Sequence, residues 1–210
     1  MRILGLTLLL LSLAACESTY YGAMEKVGVH KRDILVDRVG EARDAQQDGQ
    51  AEFQDALTQF RAVVNFKGGD LEKLYDKLDA EYQDSVDAAE DIRDRIDKVE
   101  SVAEALFDEW EDELELYSSA SLRADSERKL RDTRQKYKGL IRSMRRAEKS
   151  MQPVLDAFQD NVLYLKHNLN ASAIGALKGE LAEIDRDVSS LISSMNEAIQ
   201  ESDSFIAQLR

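Results

Sequence analysis

A chain of 210 residues, 43% apolar and 33% charged, is too apolar for a disordered polymer and long enough for one domain with a real core. One proline and ten glycines are too few for the frequent turns of a sheet protein, so few, long elements are expected. A net charge of -13 weighs against nonspecific binding of DNA, RNA or anionic lipid by the whole molecule, and a single cysteine excludes an intramolecular disulfide.

At the start of the chain, Arg2 precedes an almost purely apolar run, Ile3 to Leu13, too short to span a bilayer as a permanent helix. Small residues then lead into Cys16, and Leu13-Ala14-Ala15-Cys16 resembles the bacterial lipobox. That resemblance implies a lipoprotein: residues 1–15 are a signal peptide, Cys16 is the lipid attachment site, and residues 16–20 are a lipidated tether. Two or more acyl chains anchor a protein stably, where one binds marginally. By resemblance to enterobacterial sorting, where Asp after the cysteine favours the inner membrane, Glu17 favours the outer membrane. The expected location is the cell envelope, facing the periplasm, with Tyr20 and Tyr21 close to the headgroups or capping the lower end of the fold.

Residues 21–210 read as one helical body. The first stripe, Met24, Val27, Ile34, Val39, Ala42, Phe53, Leu57, Phe60 and Val64, approximates one helical face and stops at Lys67-Gly68-Gly69-Asp70. Asp70 is a good N-cap for the next helix. Steps of four and three from Leu71 to Tyr117 then trace a coiled-coil-like seam that only Ser85 and Glu113 interrupt. The turn expected at Ser118-Ser119-Ala120-Ser121 has neither Gly nor Pro, and charge argues for it instead. Residues 70–117 hold nineteen acids against five bases, whereas residues 123–149 hold eleven bases against four acids. A reversal lays the two blocks side by side. A third stripe runs from Leu122 to Leu169, with Pro153 expected to kink it or start a new helix. Asn168, Asn170 and Ser172 mark the next turn, and a last stripe runs from Ile174 to Leu209. The fold class is therefore all-α, an elongated antiparallel four-helix bundle about 65–70 Å long, with three long helices and a broken third as the alternative.

The chemistry-bearing residues are sparse. His30 and His167 fall at opposite ends of this topology, and no Glu-x-x-His pair supplies a di-metal site. No serine elbow, nucleophile constellation or phosphate loop is visible. The expectation is a non-enzyme without metal or cofactor. The basic run Arg142, Arg145, Arg146 and Lys149 is read as pairing with the acidic second helix, ahead of contact with an acidic partner or lipopolysaccharide phosphates.

Residues 20–39, from Tyr20-Tyr21-Gly22 through His30-Lys31-Arg32-Asp33 to Val39, are similar to the opening of an uncharacterised family of proteobacterial lipoproteins. The similarity continues in Ala42-Arg43-Asp44-Ala45-Gln46 and Leu177-Lys178-Gly179-Glu180-Leu181, spanning nearly the whole mature chain. It implies a class and no activity. His30, Lys31, Arg32 and Asp33 are its most distinctive polar run and the candidate partner or headgroup patch. The resulting expectation is a lipid-anchored periplasmic scaffold or adaptor working through helix-mediated contact with a protein partner in the envelope. A bundle holding a hydrophobic or metal ligand is the alternative.

Overall fold

The computed structural model describes residues 30–210. Cys16, the leader, the tether and the stripe residues Met24 and Val27 lie outside the described residues. Four helices follow in order: α1 (Lys31–Val64), α2 (Leu71–Leu114), α3 (Ala120–His167) and α4 (Ala171–Leu209). At 1.5 Å per residue the 48-residue α3 is about 72 Å long, which sets the length of the rod.

Each boundary has a local cause. Gly68 and Gly69 adopt φ of 129° and 122°, conformations that a Cβ disfavours, and turn the chain between α1 and α2. The Asp70 carboxylate then accepts from the Lys73 N–H at 3.2 Å and caps α2. Between α2 and α3 the Ser119 hydroxyl accepts from the Leu122 N–H at 3.4 Å, and Arg123 reaches back to Glu115 at 2.8 Å. This turn works without glycine because a hydroxyl cap and one ion pair close it. Asn170 caps α4, taking the N–H groups of Ser172 and Ala173 at 2.9 and 3.1 Å.

Short turns force antiparallel neighbours, and the helices form a ring in which α1 packs on α2 and α4, and α3 packs on α2 and α4. The α2–α3 turn, the start of α1 and the end of α4 share one end of the rod. The α1–α2 and α3–α4 turns share the other. The core is the four seams meeting: Phe53, Phe60, Phe158, Leu35, Ile96, Leu140 and Met144 are among its fully buried side chains. No described helix is long and apolar enough to cross a membrane.

Three expectations need correction. Pro153 does not start a new helix: it lies inside α3, which continues through it as one element. Pro153 and Lys149, whose carbonyl the ring leaves without its helical donor, are both exposed, which leaves that acceptor open to solvent. Leu122 and Leu169, placed at the ends of the third stripe, are 59% and 40% exposed, because they sit where α3 starts and where the chain turns into α4. The gap left between Ala42 and Phe53 in α1 is filled by Gln46 and Gly49, both buried. The amide of Gln46 has no hydrogen-bond partner for either its nitrogen or its oxygen. Ser85 stays in the seam by giving its hydroxyl to the Glu81 carbonyl at 2.9 Å, whereas Glu113 is exposed near the end of α2 and Leu114 is buried beside it.

Candidate functional site at the open end of the bundle

The polar run singled out in the sequence forms the entrance to α1. The backbone carbonyl of His30 accepts from Asp33 and Ile34 at 2.9 and 3.1 Å, which starts the helix, and its side chain makes no cap. The four residues then divide by role. Lys31 is drawn inward, its side chain only 11% exposed, and its ammonium meets Glu109 of α2 at 2.9 Å. Arg32 points outward, 59% exposed, with only a 3.4 Å contact to the neighbouring Asp33. Lys31 therefore holds the bundle shut, and Arg32 together with the exposed His30 and Asp33 forms what remains of the patch.

Arg32 also borders a groove of about 540 Å³ for which no local pattern is a signal. Trp110 of α2, Lys129, Asp132 and Lys136 of α3 and Leu209 of α4 line it with Arg32, so all four helices contribute at one end of the rod. An adjoining cavity of about 230 Å³ shares Arg32, Trp110 and Leu209 with it and is closed by Leu106 and the carboxylates of Glu109 and Glu113. The Trp110 indole N–H donates to the Ser126 hydroxyl at 2.8 Å, which fixes the ring as the groove's wall. Below it Phe107 and Tyr137 meet edge to face at 5.4 Å, Tyr137 leans on Phe205 at 6.3 Å, and the Arg134 guanidinium covers Phe107 at 5.2 Å. Burial pushes the Tyr137 phenol well above its ordinary range, so it stays neutral. The groove itself has Trp110 and Leu209 as its apolar wall and Arg32, Lys129, Lys136 and Asp132 at its rim, a mixed surface suited to an amphiphile. Only juxtaposition of four distant segments creates it.

Charge binds α2 to α3 as the two blocks imply. Arg145 gathers Asp97 and Glu100 of α2 and its own neighbour Glu148, and these acceptors raise its pKa further above the ordinary arginine value. Arg134 reaches Glu111 and Arg93 reaches Glu148. Arg146, however, turns to Glu197 of α4 at 2.8 Å, and Arg142 donates to the Lys138 carbonyl. The basic run thus straddles the helix, and only part of it serves α2.

His30 and His167 stand at opposite ends of the rod, separated by the length of α1, about 51 Å for its 34 residues. One carboxylate cluster among the described residues draws its oxygens within 4.8 Å: Glu52 of α1 with Glu81 and Asp84 of α2. Burial, then the charges of Asp55, Asp84 and Glu52, raises the Glu81 carboxyl above the usual range. Such a cluster has the oxygen chemistry of a hard-cation site, yet it is shallow and partly exposed. Antiparallel register brings these carboxylates together, and spacing within either helix alone does not reveal them.

Two comparisons complete this description. A protein family described as protein of unknown function (DUF2959) matches residues 20–209, nearly the extent that the opening motif and the Leu177–Leu181 motif imply. No curated protein matches the chain.

Proposed function

The chain belongs to that family of unknown function, and from this premise we propose that it is a lipid-anchored helical scaffold or adaptor of the cell envelope. In this reading Cys16 carries the lipid, the rod faces the periplasm, and an envelope protein is bound through charged outer faces. The observation that carries the proposal is the division of labour within the rod. All four apolar seams face inward, while the end where α1 begins carries an open, cation-rimmed groove with Trp110 at its wall. That end is the one nearest Cys16 along the chain, fifteen residues from Lys31, a reach of at most about 54 Å when extended. In this reading the chain between Cys16 and Lys31 is long enough for headgroup phosphates to reach the groove.

The anchor and the contact are tested separately. Metabolic labelling with a fatty acid should mark the full-length chain in membranes, and Cys16→Ser should abolish the label and release the protein. An unlabelled, freely soluble wild type would remove the anchor from the proposal. For the contact, a photo-cross-linking residue replacing Arg32 or Lys136 should give envelope-protein or lipid products. Their absence at both positions and along exposed α3 would end the adaptor reading.

A further inference from the structure

The outer face of α3 is divided by charge. Arg131, Lys138, Arg142 and Lys149 recur at steps of seven, four and seven, so they share one exposed stripe about 27 Å long. Among the described residues Lys138, Arg142 and Lys149 have no carboxylate partner, and Arg131 reaches Glu127 only at 3.9 Å. The same spacing continues through Pro153, Asp156, Asp160 and Leu163, where the sign reverses. Asp156 and Asp160 border an open groove of about 560 Å³ whose other wall is Glu180 and Glu183 of α4, with no cation in its lining. One face of the rod is thus basic toward the start of α3 and acidic toward its end. Beyond the acidic part Leu163 and Tyr164 stand 50% and 44% exposed. Beside the basic part lies a groove of about 460 Å³ bordered by Gly139, Arg142 and Arg146 of α3 and by Glu197 and Glu201 of α4, where Glu197 pairs with Arg146. A Cβ added at Gly139 would just touch a Glu201 carboxylate oxygen at 4.0 Å and meet nothing closer, so the glycine leaves the groove floor low.

The geometry points to a second copy of this chain as the occupant of the face, packed antiparallel on α3 about a twofold axis near residue 151. Placing Tyr164 of one copy over Gly139 of the other fixes the register. With no further adjustment Asp160 then falls within one residue of Arg142, Asp156 of Arg146, and Pro153 of Lys149. Glu180 and Glu183 lie on the helix beside Asp156 and Asp160, and so face the same partner stripe. A twofold repeats every pair, and the exposed Tyr164 and the glycine-floored groove complement each other. One alignment satisfying charge and shape together is the argument for a like partner. An unrelated acidic protein would answer the basic stripe alone. Two copies anchored in one membrane meet this way with their rods lying along the surface and the twofold along the bilayer normal.

The test uses two full-length copies with different tags, co-expressed and extracted together in mild detergent. Wild-type copies should co-purify at low salt and lose each other as salt screens the charges. Arg142→Glu alone or Asp160→Arg alone reverses two symmetric contacts and should weaken co-purification by about tenfold or more. Mixing an Arg142→Glu copy with an Asp160→Arg copy should restore it, because every facing pair is again opposite in sign. Both positions are exposed, and unchanged circular dichroism melts will show that the single variants fold. A benzoylphenylalanine replacing Tyr164 should cross-link to the partner copy near Gly139. Wild-type copies that never co-purify, single reversals without effect, a mixture that fails to rescue, or position 164 joined to a different protein would each overturn the pairing.

Discussion

Replacing Gln46 by Met asks whether the core is as dry as its packing implies. Gln46 is fully buried on α1, and neither atom of its amide has a hydrogen-bond partner. An unsatisfied buried amide costs about 1–3 kcal/mol by the measure of protein mutations. Met matches its length and flexibility, removes both polar atoms and leaves no cavity of consequence. The variant should therefore be more stable by about 1–3 kcal/mol. For a protein of this size each kcal/mol moves the melting midpoint by about 2–4 °C, which gives a rise of about 2–12 °C. Urea unfolding should show a higher midpoint with an unchanged slope, since the surface exposed on unfolding is the same. Ala is the wrong probe, because its cavity would mask the gain. A midpoint for Gln46→Met equal to or below wild type would refute the reasoning and mean that the amide is satisfied in solution.

Gly40 and Gly49 are both helical, but a Cβ at Gly40 meets nothing within 4 Å while one at Gly49 would lie 2.7 Å from Ile92 Cδ1. Gly40→Ala should stabilise by about 0.5–1 kcal/mol and Gly49→Ala should be neutral or destabilising, as seen in thermal melts. Removing the cap with Asn170→Ala should cost about 1 kcal/mol and lower the midpoint by a few degrees. Glu81 has its carboxyl raised by burial and by neighbouring acids, so ionising it opposes folding above its folded pKa and the penalty fades as pH falls through that value. Glu81→Gln should accordingly raise stability at pH 7 and lose that advantage in mildly acidic buffer, read by melts at both pH values. Glu41 behaves oppositely: burial pushes its carboxyl up, but hydrogen bonds and charge from Arg38 and Arg95 outweigh this and hold it low. Its contribution is present above the unfolded glutamate pKa and disappears as pH falls through the folded one, so Glu41→Gln should weaken the fold at pH 7 more than at low pH.

Helix periodicity, caps and block charge are local properties, and they made the fold legible. In α2 the seam positions Leu78, Ala89, Ile92, Ile96, Val99, Ala103 and Leu106 are all buried. Asp70 and Asn170 cap the helices that their side-chain chemistry suits. The misses come from competing rules. Gln46 and Gly49 escape an apolar-seam pattern because the bundle buries an amide and a bare backbone there. Leu122 looked like core because its type fits, yet the seams have already converged where it stands. The groove around Trp110 was invisible because it depends on how four helix ends are offset, a quantity set by loop lengths and packing rather than by any one segment. Lys31 and Arg32 were read as a unit, although successive residues on a helix point about 100° apart, and only one of them can face the solvent while the other meets Glu109.

Because α1 and α4 are adjacent and the rod's first and last residues meet at one end, the molecule's response to tension depends on where it is gripped. A pull between residue 30 and residue 210 would peel the outer two helices apart one turn at a time, like a zipper, at low force. A pull between that end and the Gly68–Gly69 hairpin tip loads many turns at once in shear and meets far greater resistance. A strut of this build resists being stretched lengthwise from its far tip, and yields more readily when the start of α1 and the end of α4 are drawn apart.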